Sequence, residues 1–282
     1  MDSIGDHARA AELHQQSLDI SRELGDTWSV ALSLNNLGIV AAHQGRYERA
    51  AEAHAESLAL RRQLGGKQGV ASSLNNLGSA LRGLGEWERA GALYEESLAL
   101  RREVGDRFGV ANSLHNLGLV AAHHGGHERA RSLWRESLAL YRALGHKGGI
   151  AAVLIDLGDG ATATGAWREA WALYRECLAL QREVRDARGI AALLTSLAVL
   201  AGAQGRSRQA ACLVGAAQAR WEDSGAPPAP VDGARLDHVV DAVRAVVGRQ
   251  ASDAAQARGR AMGPDEALAY AAQTTEESIE FP

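Results

Sequence analysis

The pentapeptide Leu34-Asn35-Asn36-Leu37-Gly38 returns as Leu74-Asn75-Asn76-Leu77-Gly78 and as Leu114-His115-Asn116-Leu117-Gly118, at an interval of 40 residues each time. It then decays in register through Leu154-Ile155-Asp156-Leu157-Gly158 to Leu194-Thr195-Ser196-Leu197-Ala198. A unit of this length cannot bury its own apolar side and must stack on copies of itself. The period therefore predicts a solenoid.

Two glycine columns punctuate each period. One runs Gly5, Gly45, Gly85, Gly125, Gly165, Gly205; the other runs Gly25, Gly65, Gly105, Gly145, Arg185, Gly225. Between them Val30, Leu34, Leu37 and Ala41 fall at helical spacing, and a glycine after the last apolar residue reads as a helix stop. The pattern predicts a helix A over about Thr27 to Gln44 and a helix B over about Tyr47 to Leu64. At ~1.5 Å per residue each is about 27 Å long. No run alternates apolar and polar residues as a half-buried strand would, so the expected class is all-α.

Composition narrows the setting. Of 282 residues 46% are hydrophobic and only 5 are proline, yet no apolar run approaches the ~20 residues that span a bilayer. Met1 to Asp6 lacks the basic start and apolar core of a signal peptide, so the expected location is the cytoplasm, with no membrane partner. Cys177 occupies the small-residue column of Ser57, Ser97 and Ser137, and Cys212 sits on a later helix; both are expected as free, buried thiols. A net charge of −4 argues against a broad grip on nucleic acid. Lysine occurs only at 67 and 147, the other cations being arginine, a bias of GC-rich bacterial genomes.

Small residues recur where helices would cross. Gly38, Ala50 and Ser57 return as Gly78, Ala90 and Ser97, as Gly118, Ala130 and Ser137, and as Gly158, Ala170 and Cys177, with Tyr94, Trp134 and Tyr174 beside them. Leu-Gly on helix A with Ala and a small residue on helix B resembles the tetratricopeptide repeat, in the longer 40-residue form of the kinesin light chains and the Pins spindle-orientation proteins. The proline that usually follows helix B is replaced by a Gly-Asp turn, as in Gly25-Asp26 and Gly105-Asp106. The resemblance implies a right-handed α-solenoid of stacked antiparallel helix pairs. The expected layout is an orphan helix in residues 1–26 and five hairpins over 27–224. A Pro-rich linker at 225–232, a short helical cap at 233–271 and a flexible tail at 272–282 follow.

The stretch from about 205 to 271, with Gly215-Ala216-Ala217-Gln218, Gly259-Arg260-Ala261-Met262 and Glu266-Ala267-Leu268-Ala269-Tyr270-Ala271, is similar to the C-terminal tail of actinobacterial regulators of the LuxR or AfsR kind. It departs from them at Ser252 and Gln256, where such tails carry aromatics. In those proteins the array lies behind a P-loop ATPase module, so an ATPase or DNA-binding module N-terminal to this chain is an implied partner.

No catalytic signature is present. Lys67 follows Gly65-Gly66, but a phosphate-binding loop needs a glycine at position 60 and a Ser or Thr at 68, where Leu60 and Gln68 stand. His123, His124 and His127 are split by Gly125-Gly126, and His127 stands in the packing-ring column of Tyr47, Trp87 and Trp167, so a structural role outweighs a metal one. The Arg22, Arg62, Arg102, Arg142 and Arg182 column sits in the last turn of each helix B, where a cation meets the carbonyl end of the dipole. The expectation is no enzyme and no cofactor.

On helix A, Leu34, Leu37, Gly38 and Ala41 share one side, leaving residues 32, 35, 36, 39 and 43 on the other, the face that lines the concave groove in this family. The candidate peptide-binding residues are Asn35, Asn36, Asn75, Asn76, His115, Asn116, Ile155, Asp156 and Asp159. An asparagine amide both donates and accepts, as gripping a peptide backbone requires, while one asparagine per unit could instead brace its neighbour. Ala152, Ile155, Asp159 and Ala163 are expected to form a more apolar floor, suiting a ligand with a polar and a greasy end. The function expected is a protein- or peptide-binding scaffold, the sensor arm of a bacterial regulator. The alternatives are a stand-alone adaptor of a separate ATPase or biosynthetic enzyme, and a small-ligand receptor. Self-association through the uncovered side of the first helix is a further expectation.

Overall fold

A computed structural model describes residues 2–225, 227–228 and 230–276. Residues 277–282 of the tail expected to be flexible, and Ala226 and Ala229 of the linker, lie outside the described residues. Among the described residues there are fourteen helices and no strand. The chain forms two compact units, Met1–Leu144 and Gly145–Pro282, and each is an α-solenoid of antiparallel helix pairs.

Unit 1 consists of α1 (Asp2–Glu23), α2 (Thr27–His43), α3 (Tyr47–Leu64), α4 (Lys67–Gly83), α5 (Trp87–Val104), α6 (Arg107–His123) and α7 (His127–Ala143). Helix α1 starts at Asp2, with Gly5 inside it. Its glycine is therefore helical, unlike those that follow. Gly65 and Gly105 end α3 and α5 in the left-handed conformation, at φ 76° and 72°, which costs a residue without Cβ nothing. Asp26 then starts α2 by accepting from the backbone N–H groups of Trp28 and Ser29, each at 3.1 Å. The Gly-Asp turn is thus a C-cap joined to an N-cap.

Each pair closes on one steric match. A Cβ added to Gly38 would lie 2.6 Å from the His54 ring, one on Gly78 2.8 Å from Tyr94, and one on Gly118 2.3 Å from Trp134. The small-residue column on helix B also carries a polar contact that spacing does not reveal. The hydroxyls of Ser57, Ser97 and Ser137 donate to the carbonyls of Ala31, Ala71 and Ala111 at 2.7, 2.8 and 2.7 Å. Ser57 and Ser97 lie a further 3.1 and 3.3 Å from Ser73 and Ser113 on the next helix A, so one hydroxyl ties three helices. On the outer side the arginine column is paired: Arg22 with Glu56, Arg62 with Glu96 and Arg102 with Glu136, at 2.9, 2.7 and 3.5 Å. Each arginine meets a glutamate of the next helix B, so the column is a set of inter-repeat ties.

Unit 2 consists of α8 (Lys147–Ala163), α9 (Trp167–Val184), α10 (Ala187–Ala203), α11 (Ser207–Asp223), α12 (Pro230–Val247), α13 (Arg249–Arg260) and α14 (Pro264–Glu276). The hairpins α8–α9 and α10–α11 keep the repeat geometry. Gly158 faces Tyr174, and Cys177 Sγ lies 3.5 Å from the Ala151 carbonyl, where the other repeats place a serine. Burial pushes the Cys177 thiol up to about 12; both cysteines are free and buried. After α9 the turn is made by Arg185 at φ 55°, the one non-glycine residue with positive φ among the described residues. Helix α12 starts at Pro230, earlier than the expected start of the cap at 233, and α13 packs along α11 with backbones nearly touching. A Cβ on Gly215 would lie 2.0 Å from the Gln256 carbonyl oxygen, and one on Gly259 1.8 Å from that of Cys212. Fully buried Ser252 has no bulk to hold the helices apart. Helix α14 closes the unit with buried Ala267, Leu268 and Ala271.

Candidate functional site

In unit 1 the helix A faces of α2, α4 and α6 lie side by side, joined by an amide ladder. Asn76 Nδ2 donates to Asn35 Oδ1 at 3.0 Å, and Asn116 Nδ2 donates to Asn75 Oδ1 at 3.1 Å and to Asn112 Oδ1 at 3.0 Å. Asn35, Asn75 and Asn116 are buried, while Asn36 and Asn76 are half-buried. Bracing therefore takes one amide from each of the two columns, rather than one column bracing and the other facing a ligand. The ladder uses the oxygens of Asn35 and Asn75 and the nitrogen of Asn76. Half-buried His115 accepts a hydrogen bond at its backbone carbonyl from Trp134 Nε1, 3.2 Å away.

Between the two columns the ~100° helical step places Trp28, Leu32 and Ile39 on α2. All three are exposed, at 63%, 37% and 36%. The corresponding residues are Gln68, Ser72 and Ser79 on α4, and Phe108, Asn112 and Leu119 on α6. The concave side of unit 1 is thus apolar at α2, polar at α4 and mixed at α6. None of these three helices contains an aspartate or glutamate, whereas Lys67, Arg82 and Arg107 lie on them.

Along α4, the Tyr94 hydroxyl of α5 donates to Ser79 Oγ at 3.2 Å. Burial pushes the Tyr94 phenol up, while Arg82 and Ser79 beside it pull back. The Arg82 guanidinium lies 6.0 Å over the Trp87 ring, whose plane stacks on His123 at 4.0 Å. Its Nε is buried with no hydrogen-bond partner. The histidines near this edge form no metal centre: among the described residues no group of three or more His, Cys, Asp or Glu is gathered to hold an ion.

Unit 2 differs. Ile155 is buried at 8% exposure and Asp156 is half-buried, so the apolar floor expected around Ile155 offers little surface. Asp159 is engaged from two sides. The Tyr174 hydroxyl donates to Asp159 Oδ1 at 2.7 Å, and Arg235 of α12 donates to the same oxygen at 2.7 Å. Arg235 also lies 3.3 Å from Ser196 Oγ and 3.6 Å from Asp232, and Thr162 Oγ1 lies 3.2 Å from the Tyr174 hydroxyl. Burial alone would lower the Arg235 guanidinium, but Asp159 and Asp232 outweigh it and hold it above its ordinary value. Helix α12 thus supplies the cation that the α8 carboxylate meets. Sequence reasoning placed Asp159 on the concave face but missed its occupant. The signal was the column itself, where Asp159 stands among Ile39, Ser79, Leu119 and Val199.

Stacked helix pairs with a crossing glycine, a facing ring and a concave helix A surface define a helical-repeat scaffold. The tetratricopeptide repeat family matches residues 3–63 and 69–143, so this part of the chain is a tetratricopeptide-repeat array. No curated protein matches it by sequence. Among solved structures it is similar to BtubC from P. vanneervenii, at 17% identity and TM-score 0.58 over 86% of this chain and 93% of that one. It is also similar to the Rap conjugation gene regulator of plasmid pLS20 in complex with the Phr* peptide, at 15% identity and TM-score 0.62 over 92% and 72%. A third likeness is a putative kinesin light chain of Podosopora anserina, at 19% identity and TM-score 0.51 over 68% and 94%. At these identities the likeness is one of fold. Among the described residues no helix is long and apolar enough to cross a membrane.

Proposed function

We propose that this chain is a non-catalytic module that binds an extended peptide or protein segment on the concave side of unit 1. The carrying observation is the contrast between the units: α2 presents exposed Trp28, Leu32 and Ile39 beside the asparagine amides of α2 and α4, while Asp159 in unit 2 is already met by Arg235. An apolar anchor beside backbone-gripping amides is a common way to hold an extended chain. The greasy end of the ligand lies at α2, not at the expected Ala152 to Ala163. The Rap relative held in complex with a peptide supports this reading. The likeness of residues 205–271 to regulator tails supports a role as the partner-binding arm of a bacterial regulator acting in the cytoplasm. The test is a displayed random-peptide library selected on the wild type and re-scored on Leu32→Glu/Ile39→Glu. Both side chains are exposed, so the melt should hold while selected peptides lose at least about tenfold in affinity, roughly 1.4 kcal/mol. Peptides that bind the double variant unchanged would refute the site.

A further inference from the structure

Two repeats build the same polar corner differently. In α8–α9 it consists of the Tyr174 hydroxyl, the Asp159 carboxylate and the Arg235 guanidinium, with both donors on one carboxylate oxygen at 2.7 Å. In α4–α5 the Tyr94 hydroxyl corresponds to that of Tyr174, and Ser79 occupies the place that Asp159 holds two repeats later. The guanidinium comes from the same helix, as Arg82, in the column of Thr162. Phenol and cation are therefore both present, and the carboxylate is the member replaced by a hydroxyl. Arg82 pairs with no carboxylate among the described residues, and its Nε has no hydrogen-bond partner. The helices that line this face carry no acid of their own.

We infer that the ligand supplies the missing carboxylate: the partner of unit 1 is an acidic segment whose Asp, Glu or terminal carboxylate seats on Arg82 beside Ser79 and Tyr94. The inference rests on the peptide-binding reading above and adds the chemistry of the ligand. A guanidinium bonds a carboxylate with charged, directional hydrogen bonds, and here it is already turned toward a buried phenol by its own helix. Length follows as well. Ile39 and Ser79 share a column on neighbouring helices, so an apolar side chain at α2 and a carboxylate at α4 belong to one short extended stretch about a helix spacing of ~10 Å apart, roughly three residues of strand.

The corner can be filled from within. Ser79→Asp recreates the arrangement of Asp159, and Ser79→Asn has the same shape without the charge. Two short fluorescein-labelled peptide pools serve as probes, both containing leucine, one rich in Asp and Glu and its twin carrying Asn and Gln instead. The wild type is expected to bind the acidic pool at least about tenfold more tightly than the amide pool. Ser79→Asp and Arg82→Gln should abolish that preference, and Ser79→Asn should keep it. A thermal melt of Ser79→Asp at or above the wild type shows that the introduced acid has paired with Arg82 and not unfolded the repeat. Equal binding of both pools would overturn the carboxylate while leaving peptide binding standing. Binding of neither pool would overturn both. An acidic preference that survives in Ser79→Asp would place the carboxylate elsewhere and refute this corner.

Discussion

Gly118 is held against Trp134 so closely that a single Cβ would lie 2.3 Å from the indole nitrogen, and that nitrogen is tied to the His115 carbonyl. Gly118→Leu should therefore cost about 3 kcal/mol, the upper part of the overpacking range, seen as a lowered midpoint in a denaturant melt. At the fifth hairpin the columns change together: Ala198 replaces the glycine, Val214 replaces the ring, and both are fully buried. His54 fills the ring position opposite Gly38 and is 1% exposed. Burial, with Arg61 nearby, lowers it to about 4 from an ordinary 6.5. Its native pKa is depressed, so between those two values the unfolded chain binds a proton that the folded one refuses, and stability falls as pH drops through that window. The loss approaches about 3 kcal/mol near pH 4. His54→Tyr, which copies the ring that Tyr94 supplies one repeat later, should flatten that slope relative to the wild type in melts taken across the range. Arg185 presents the opposite case, a side chain in a glycine conformation. Arg185→Gly should stabilise by about 0.5–1 kcal/mol, since the ion pair it forfeits with Asp265 is exposed on both sides and such pairs contribute little.

At the scale of elements, the helices of the hairpins were legible because each is bounded by a column. Glycine after helix B and aspartate before helix A act on the backbone locally, so their spacing survives into the structure. The candidate site was legible in part, for the same reason in reverse. A helical wheel finds which residues face the concave side, but not what arrives from elsewhere in the chain, and Arg235 reaches Asp159 across 76 residues. Nor does a wheel show that Asn35 and Asn76 face one another, because that depends on the offset of neighbouring helices. Helix α13 lies inside the expected helical cap, but its seat on α11 could not be read, because that contact is made by backbone at Gly215 and Gly259 and leaves no apolar stripe. The Arg235 tie can be weighed directly. Removing it leaves Asp159 with the Tyr174 hydroxyl but without a cation. Because the pair is about a quarter exposed, Arg235→Ala should cost roughly 2 kcal/mol, below the range for a fully buried pair. Arg235→Lys should recover only part of it, lacking the second guanidinium nitrogen that faces Asp232. Unfolding curves of both variants against Asp159→Asn would show whether the loss runs through this contact.

At the scale of the whole molecule, unit 1 carries ties that join each repeat to its neighbour. Arg62 meets Glu96, Ser57 meets Ser73, and Asn76 meets Asn35. An inserted second copy of residues 67–106 would find each of these partners waiting on both sides. The lengthened chain should unfold in one transition at a temperature no lower than the wild type, as stacked repeats with favourable interfaces do; a separate early transition in calorimetry would contradict this. Because partner and register are stored in each copy, such a chain can gain or lose a unit by misaligned recombination between its own near-identical segments and still fold. A slip that is not a whole number of 40-residue units would set every arginine, serine and asparagine opposite the wrong neighbour. The same chemistry that ties one repeat to the next thus also acts as a reading frame, within which the array can change its number of repeats.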